Sequence, residues 1–151
     1  MNKTLLNRQL DALLTGETNL IANLANASAL LFESLPDVNW TGFYLYNESQ
    51  NELILGPFQG KVACMHIKVG KGVCGTAFSS QKTQRIANVH TFPDHIACDA
   101  ASMSELVVPL ISGRRKIGVL DLDSPKLNRF SKDDEQLVET FAQTLLKHLP
   151  A

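Results

Sequence analysis

The stretch ELVVPLISGRRKIGVLDLD, from Glu105 to Asp123, decides the fold of this 151-residue chain. It contains two apolar runs, Glu105–Ser112 and Lys116–Asp123, which are joined by a short basic turn with a glycine. Such runs on either side of a tight turn predict an antiparallel hairpin, and their apolar content places it at the centre of a sheet. Pro109 weakens the first strand, because proline cannot donate a hydrogen bond to its neighbour.

Further strands are predicted before this hairpin, in aromatic or apolar segments that end at turn residues. They are Trp40–Tyr46, Glu52–Phe58 and Lys61–Val69, with a short strand at Gln84–Val89. The short polar connection at Asn47–Asn51 makes the first two an antiparallel pair.

Helices are predicted at both ends of the chain and once in the middle, from apolar residues at helical spacing and from their start and stop signals. They are Thr4–Leu14, a longer helix from Leu20 that Pro36 stops, Val73–Ser80, and a last helix that opens at Phe130-Ser131. Ser131 is the predicted N-cap of that last helix, and the segment from Thr91 to Ser104 is predicted to be irregular or weakly helical. The fold class is therefore α+β, with a central antiparallel sheet flanked by N- and C-terminal helices, in one domain over residues 1–151.

The composition excludes several classes of function. The formal net charge is −1, and the longest basic cluster is Arg114–Lys116, so no nucleic-acid partner is expected. No stretch is apolar enough to cross a membrane, and the N-terminus lacks a signal-peptide core, which predicts a cytoplasmic protein. In that compartment we expect the three cysteines to be thiols that serve packing, metal binding or redox chemistry, not a structural disulfide framework.

The cysteines lie in three different contexts. Cys64 falls in a predicted strand and Cys74 in a glycine-rich turn, where either could be a small buried hydrophobe. Cys98 lies in the irregular segment HIACDAAS, the kind of segment that often carries reactive groups. If a helical turn starts at Asp99, its N–H groups would stabilise a Cys98 thiolate.

An acidic pair lies on the second strand of the hairpin. Asp121 and Asp123 alternate along an apolar strand and share one face, which is either solvent or covered by other elements. Both faces of a central strand should be covered in this layout, and two carboxylates beside Glu105 on a covered face would be costly without a role. Such a cluster raises at least one pKa, so it can supply a neutral acid as proton donor, or it can hold an ammonium group.

Three other patterns leave alternatives open. GKGVCG, at Gly70–Gly75, matches a dinucleotide fingerprint, but antiparallel strands precede it, so tight turning around Cys74 is the better interpretation. Cys64, His66, His95 and Cys98 could form a zinc set, although the paired spacing of structural sites is missing. Trp40 is either a core residue or an apolar wall for a sulfur-containing ligand.

Four motifs taken together carry a resemblance. They are LGPFQGKVAC (Leu55–Cys64), GKGVCGTA (Gly70–Ala77), DHIACDAASMSE (Asp94–Glu105) and GVLDLDS (Gly118–Ser124). In this order they resemble the free methionine-R-sulfoxide reductase family, whose members have the GAF fold. The resemblance covers nearly the whole chain.

The resemblance implies a role for each site residue. Cys98 would be the nucleophile that becomes oxidised, Cys64 the resolving partner that forms a disulfide with it, and Cys74 an accessory thiol. The acidic substrate site would consist of Glu105, Asp121 and Asp123. Trp40 would be the aromatic wall near the substrate methyl group.

The resemblance also implies the partners. The substrate would be free methionine-(R)-sulfoxide and the reductant thioredoxin or a similar dithiol, with no metal or organic cofactor and a homodimer as the suggested assembly. The rival function is a non-catalytic GAF module that binds a ligand or senses redox state. Against a cyclic-nucleotide ligand, an acidic cluster would repel phosphate.

Overall fold

The computed structural model describes residues 3–95 and 101–150. Its strands are β1 (Trp40–Asn47), β2 (Glu52–Gly60), β3 (His66–Lys68), β4 (Gln84–Ile86), β5 (Ser104–Ser112) and β6 (Arg115–Ser124). Its helices are α1 (Lys3–Leu14), α2 (Leu20–Ser34), α3 (Gly72–Ser80) and α4 (Lys132–Leu146), with a 3-10 turn at Val89–Thr91. Within these residues the strands form one antiparallel sheet in the order β3-β2-β1-β6-β5-β4. The predicted α+β class and the hairpin of β5 and β6 are confirmed.

The helix boundaries follow from local sequence signals. The side chain of Asn19 caps α2 by accepting a hydrogen bond from the Ala22 N–H, and α2 ends two residues before Pro36. At α4 the predicted N-cap is confirmed, because Ser131 and Asp134 form a reciprocal capping box. None of the helices among the residues described is long and apolar enough to span a membrane.

One face of the sheet is covered by α1, α2 and α4, which bury the main core. Fully buried members of this core are Leu6, Leu10, Leu24, Leu31, Phe43, Leu106, Leu120, Leu122, Val138 and Phe141. Burying a leucine or phenylalanine side chain stabilises a fold by roughly 1.5–3 kcal/mol, so this layer supplies most of the hydrophobic driving force.

The opposite face of the sheet carries a smaller cluster, covered by α3. Alternation along β6 sends Leu120 and Leu122 into the main core, and Val119 and Asp121 to this second face. Helix α3 packs so closely on the β3 side that a Cβ at Gly75 would lie 2.5 Å from the Lys68 carbonyl oxygen. The second face is therefore a thin, mixed layer in which polar side chains meet apolar ones.

The predicted third strand at Lys61–Val69 is wrong in its first half. Strand β2 continues to Gly60, and β3 starts only at His66, so residues 61–65 form a connecting segment that includes Cys64. The backbone of this segment is held by side chains, since the Lys61 and Cys64 carbonyl oxygens accept hydrogen bonds from β1. An apolar run can thus remain outside the sheet when side chains donate hydrogen bonds to its carbonyl groups.

Two smaller differences concern the far edge of the sheet. The strand predicted at Gln84–Val89 is shorter, because β4 ends at Ile86 and a 3-10 turn starts at Val89. β4 pairs only with residues 105–107 of β5, so Pro109 lies beyond the end of that neighbour. A proline at this position is tolerated because one side of β5 has no ladder there to interrupt.

Candidate active site

The register of three strands gathers the acidic residues on the second face. Asp123 on β6 lies directly opposite Glu105 on β5 and opposite Trp40 on β1. Asp121, two residues earlier on β6, therefore points to the same side. The prediction that these carboxyl groups share a covered face is confirmed for Asp121 and Glu105, which are only 4% and 8% exposed. Asp123 is half-buried.

Helix α3 closes over these carboxyl groups and places Cys74 against them. The Cys74 thiol donates a hydrogen bond to Glu105 Oε2 with an Sγ–Oε2 distance of 3.8 Å. The Cys74 sulfur and one oxygen each of Glu105 and Asp121 lie within 4.8 Å of one another. Cys74 is buried and is a free thiol in the structure, so three buried ionisable groups lie close together.

Burial keeps this cluster in its protonated forms. Desolvation raises the pKa of Asp121, and the nearby Asp123 charge raises it further. Desolvation followed by the charge of Asp121 also raises the pKa of Glu105 and of the Cys74 thiol. The cluster therefore contains neutral carboxylic acids at a pH where exposed ones are ionised. A neutral acid of this kind can donate a proton to a bound molecule.

Aromatic residues of β1 and β2 form the wall beside the acids. The ring of Trp40 stacks on Phe58 at a centroid distance of 5.1 Å and on Tyr44 at 5.9 Å. The Trp40 indole donates a hydrogen bond to the Lys61 carbonyl at 3.1 Å, and the Tyr44 hydroxyl donates one to the Cys64 carbonyl at 2.9 Å. The wall therefore also anchors the segment that carries Cys64.

Glycine at position 42 makes this arrangement possible. Gly42 lies opposite Asp121 in the β1–β6 ladder, between two aromatic residues of the wall. A Cβ there would lie 2.3 Å from Phe58 Cβ and 2.9 Å from the Trp40 ring. Any larger residue would push the wall away from the acids.

One cavity joins the wall, the acids and α3. Five of the residues selected from the sequence line it: Trp40, Cys74, Glu105, Asp121 and Asp123. Cys64 is half-buried and disulfide-bonded, and its neighbours Val62 and Ala63 line the cavity. Cys98 and the turn expected at Asp99 lie outside the described residues.

The cavity also has members that sequence reasoning missed. Tyr44 follows Trp40 by four residues on one strand, so alternation along β1 could have identified it. Ser102 and Lys71 also line the cavity, and they come from segments without a periodic signal. His95 lines it as well, although the sequence suggested this residue only as part of a zinc set. Burial, followed by the nearby His90, lowers the pKa of His95.

Two polar atoms in this cavity lack a partner. Asp121 Oδ1 and Ser102 Oγ are buried, and neither has a hydrogen bond within the described part of the chain. Buried polar groups are nearly always paired, so these two atoms are available to a water molecule, an ion or a polar ligand in the cavity.

The alternatives considered from sequence find little support in this geometry. GKGVCG follows a strand of an antiparallel sheet, which is not the parallel setting of a dinucleotide site. His66 of the suggested zinc set lies on β3, where its Nδ1 is 2.8 Å from Glu52 Oε1. The described residues that could hold a metal ion are instead Cys74, Glu105 and Asp121.

Comparison with known proteins places this chain in a family. The GAF domain model matches residues 9–149. The free methionine-R-sulfoxide reductase of Escherichia coli is 54% identical over 153 residues, an alignment that spans 99% of this chain and 92% of the relative. The Saccharomyces cerevisiae enzyme of the same name is 47% identical, over 91% of this chain and 79% of the relative.

Solved structures agree with this relationship. The reduced form of fRMsr from Staphylococcus aureus superposes with a TM-score of 0.93 and 51% identity, over 97% of this chain and 94% of the other. Free methionine-R-sulfoxide reductase from Neisseria meningitidis, in complex with its substrate, has a TM-score of 0.93 and 42% identity, over 97% and 87%. The chain therefore belongs to the GAF-fold family of free methionine-R-sulfoxide reductases, which are oxidoreductases.

Proposed function

We propose that this chain reduces free methionine-(R)-sulfoxide to methionine, with Cys98 as the nucleophile. The observation that carries the proposal is the sheltered cluster of Glu105, Asp121 and Asp123, which lies beside an aromatic wall in one cavity. The relatives that bear this activity in their names align over nearly the whole chain. Membership of the family adds the nucleophile, which the described residues do not include.

The carboxyl cluster supplies the proton that the reaction needs. A sulfoxide sulfur is a poor electrophile until its oxygen is protonated, and a neutral buried carboxylic acid can donate that proton. Asp121 and Glu105 both meet this requirement, since burial raises the pKa of each. The half-buried Asp123 suits the other task, which is to bind the substrate ammonium group as a carboxylate.

The sulfur chemistry then proceeds in three steps. The Cys98 thiolate attacks the protonated sulfoxide sulfur and forms an S–S bond; the hydroxyl group then passes to Cys98 as the S–O bond and the new S–S bond break, so methionine leaves and Cys98 becomes a sulfenic acid. The Cys64 thiol condenses with that sulfenic acid, which forms a disulfide and releases water. Thioredoxin or a similar dithiol restores both thiols by exchange and becomes oxidised itself.

Cys64 is the better candidate than Cys74 for the resolving thiol. Cys64 is disulfide-bonded, whereas Cys74 is free, which supports Cys98 as the Cys64 partner among the chain's three cysteines. The Cys74 thiol donates a hydrogen bond to Glu105 in a buried site, and burial raises the pKa of this thiol, so it is a weak nucleophile there. We assign it the role of an accessory thiol.

The cavity also explains the choice of a free amino acid. Its lining comes from β1, β6, α3 and the segment at residues 61–65, which surround the acids from several sides. A buried carboxylate that pairs with a free ammonium would remain unpaired with a peptide-bound residue, which lacks that charge. One sulfoxide stereoisomer is selected because its oxygen and its methyl group must meet the acid and the aromatic wall respectively.

A coupled assay tests the proposal. The pure protein is mixed with thioredoxin, thioredoxin reductase, NADPH and racemic free methionine sulfoxide, and NADPH oxidation should stop near half consumption of the racemate. Cys98→Ser should abolish turnover, and Cys64→Ser should release about one methionine per chain before it stalls. An absence of turnover by the wild-type protein, together with tight binding of a nucleotide, would favour the binding-module function instead.

A further inference from the structure

Cys74, Glu105 and Asp121 form a compact donor set of one sulfur and two carboxyl groups. Their donor atoms lie within 4.8 Å of one another, and all three residues are buried. In a tetrahedral zinc site with bonds of about 2.3 Å to sulfur and about 2.0 Å to oxygen, neighbouring donors lie roughly 3.3–3.5 Å apart. The Sγ–Oε2 distance of 3.8 Å between Cys74 and Glu105 is already close to that value.

Two unpartnered polar atoms in the same cavity, one within the donor set and one outside it, leave room for a ligand. Asp121 is only 4% exposed, and its Oδ1 atom has no hydrogen-bond partner within the residues described. Ser102 Oγ, which belongs to none of the three donors, is a second unpartnered atom in the lining. A hydroxyl group there can accept a hydrogen bond from a metal-bound water in the fourth position.

We propose that Cys74, Glu105 and Asp121 bind a thiophilic divalent cation such as Zn²⁺, and that this ion inhibits the enzyme by occupying the substrate cavity. The mixed sulfur and oxygen donors select zinc or cadmium over magnesium, which demands oxygen ligands in a near-octahedral shell. The binding part stands independently of the proposed reductase function. The inhibition rests on that function, because the ion takes the carboxyl groups assigned to the substrate.

The geometry also explains why the site would regulate the enzyme and not support its fold. The donors come from α3, β5 and β6, which already contact one another without an ion. A bound cation would fix the Glu105 and Asp121 carboxylates as ligands, so neither could protonate a sulfoxide or bind an ammonium group. Zinc would therefore compete with free methionine sulfoxide.

The oxidised protein provides a clean test. When Cys64 is in its disulfide, Cys74 is the free thiol, and a thiol titration of the unfolded oxidised protein should confirm one per chain. Isothermal titration with Zn²⁺ should then show one site per chain with micromolar or tighter affinity, and Cd²⁺ should produce a thiolate-to-metal absorption in the near ultraviolet. Mg²⁺ should produce no binding heat.

Matched variants locate the ion. Cys74→Ser should abolish the Cd²⁺ absorption, and Cys74→Ser and Asp121→Asn should each weaken Zn²⁺ binding at least tenfold. Glu52→Gln is the control, because Glu52 and His66 form a second candidate pair of ligands at the surface. It should leave the affinity unchanged.

The outcomes separate this proposal from the reductase function. An oxidised wild-type protein that shows no Cd²⁺ absorption overturns the metal site even if no variant folds, since Cys74 is its sulfur donor. An affinity for Zn²⁺ that is unchanged in Cys74→Ser, or that is lost in Glu52→Gln, also overturns the proposed site. Zinc binding without any turnover of methionine sulfoxide would support the site and contradict the proposed function.

Discussion

At the scale of single residues, Asp121 is a buried acid whose ionisation affects stability and which the proposed function uses as a proton donor. It lies on a central strand with one carboxyl oxygen unpaired, beside a second carboxyl group and a thiol. A well-packed neutral residue would suit that position better for stability. The cluster is maintained at the expense of folding free energy, as expected for groups that act on a ligand.

Asp121→Asn should therefore stabilise the protein at high pH. Burial raises the pKa of Asp121, so between the unfolded pKa of about 4 and the folded pKa the native state holds a proton that the unfolded state has lost. The free energy of unfolding then falls as the pH rises through that window. Each unit of pKa elevation corresponds to about 1.4 kcal/mol. For a chain of this size, each kcal/mol of unfolding free energy shifts Tm by ~2–4 °C.

Calorimetry at pH 4 and pH 8 checks this prediction. Asp121→Asn should raise Tm at pH 8 by several degrees relative to the wild type, and by much less at pH 4, while turnover falls by about 10²-fold or more. Asp133→Asn, an exposed acid in the first turn of α4, is the control and should show no such pH-dependent gain. An equal gain at both values of pH would mean that ionisation is not the cause.

At the scale of elements, the segment at residues 61–65 links the sheet to the thiol chemistry. It follows β2 after Gly60, and the side chains of Trp40 and Tyr44 hold it by hydrogen bonds to its carbonyl groups. Its apolar side chain at Met65 is 69% exposed, directly beside Cys64. In the proposed mechanism Cys64 is the resolving thiol, and an exposed apolar group beside it is suited to contact a reducing protein.

Met65→Asp should weaken reduction by thioredoxin without affecting reduction by a small dithiol. Loss of an apolar contact at the protein interface should raise the KM for thioredoxin several-fold, whereas turnover supported by dithiothreitol should change less than twofold. Steady-state kinetics with each reductant measures both. Ile111→Asp, at an exposed apolar position in the β5–β6 hairpin, is the control. Equal losses with both reductants would rule out a docking role.

At the scale of the whole molecule, the sheet separates stability from function. The main core lies between the sheet and α1, α2 and α4, whereas the acids, the aromatic wall and α3 lie on the other face. Helices α1 and α4 contact each other and enclose this core. His148, just after α4, places its Nε2 atom 2.7 Å from Oδ1 of Asp11 in α1. Damage to one layer should therefore leave the other largely intact.

Leu10→Ala tests this separation. Leu10 is fully buried in the main core, and its truncation should reduce the free energy of unfolding by about 2–5 kcal/mol. The KM for methionine sulfoxide, measured well below the transition temperature, should stay within about twofold of the wild type. Leu13→Ala, on the same helix but 45% exposed, should change stability by less than about 1 kcal/mol. A large rise in KM for Leu10→Ala would show that the layers are coupled.

Local signals in the sequence account for most of the secondary structure. Pro36 ends α2, Ser131 caps α4, and alternation along β6 sends Asp121 and Asp123 to one face, because these effects act over a few residues. The first half of the predicted Lys61–Val69 strand was wrong, because the conformation of residues 61–65 depends on hydrogen bonds from side chains about twenty residues away. The periodicity of apolar residues does not predict such long-range hydrogen bonds.

The candidate site divides in the same way. The sequence by itself proposed the acids, the three cysteines and Trp40 as candidates, because their residue types and motifs carry chemistry. Only the tertiary structure decided that Asp121 and Glu105 are buried with Cys74, and that Ser102 and Tyr44 join them. The physical reason is that residue type determines what a group can do, whereas its solvation and its neighbours depend on strand register and on the helix that covers the sheet.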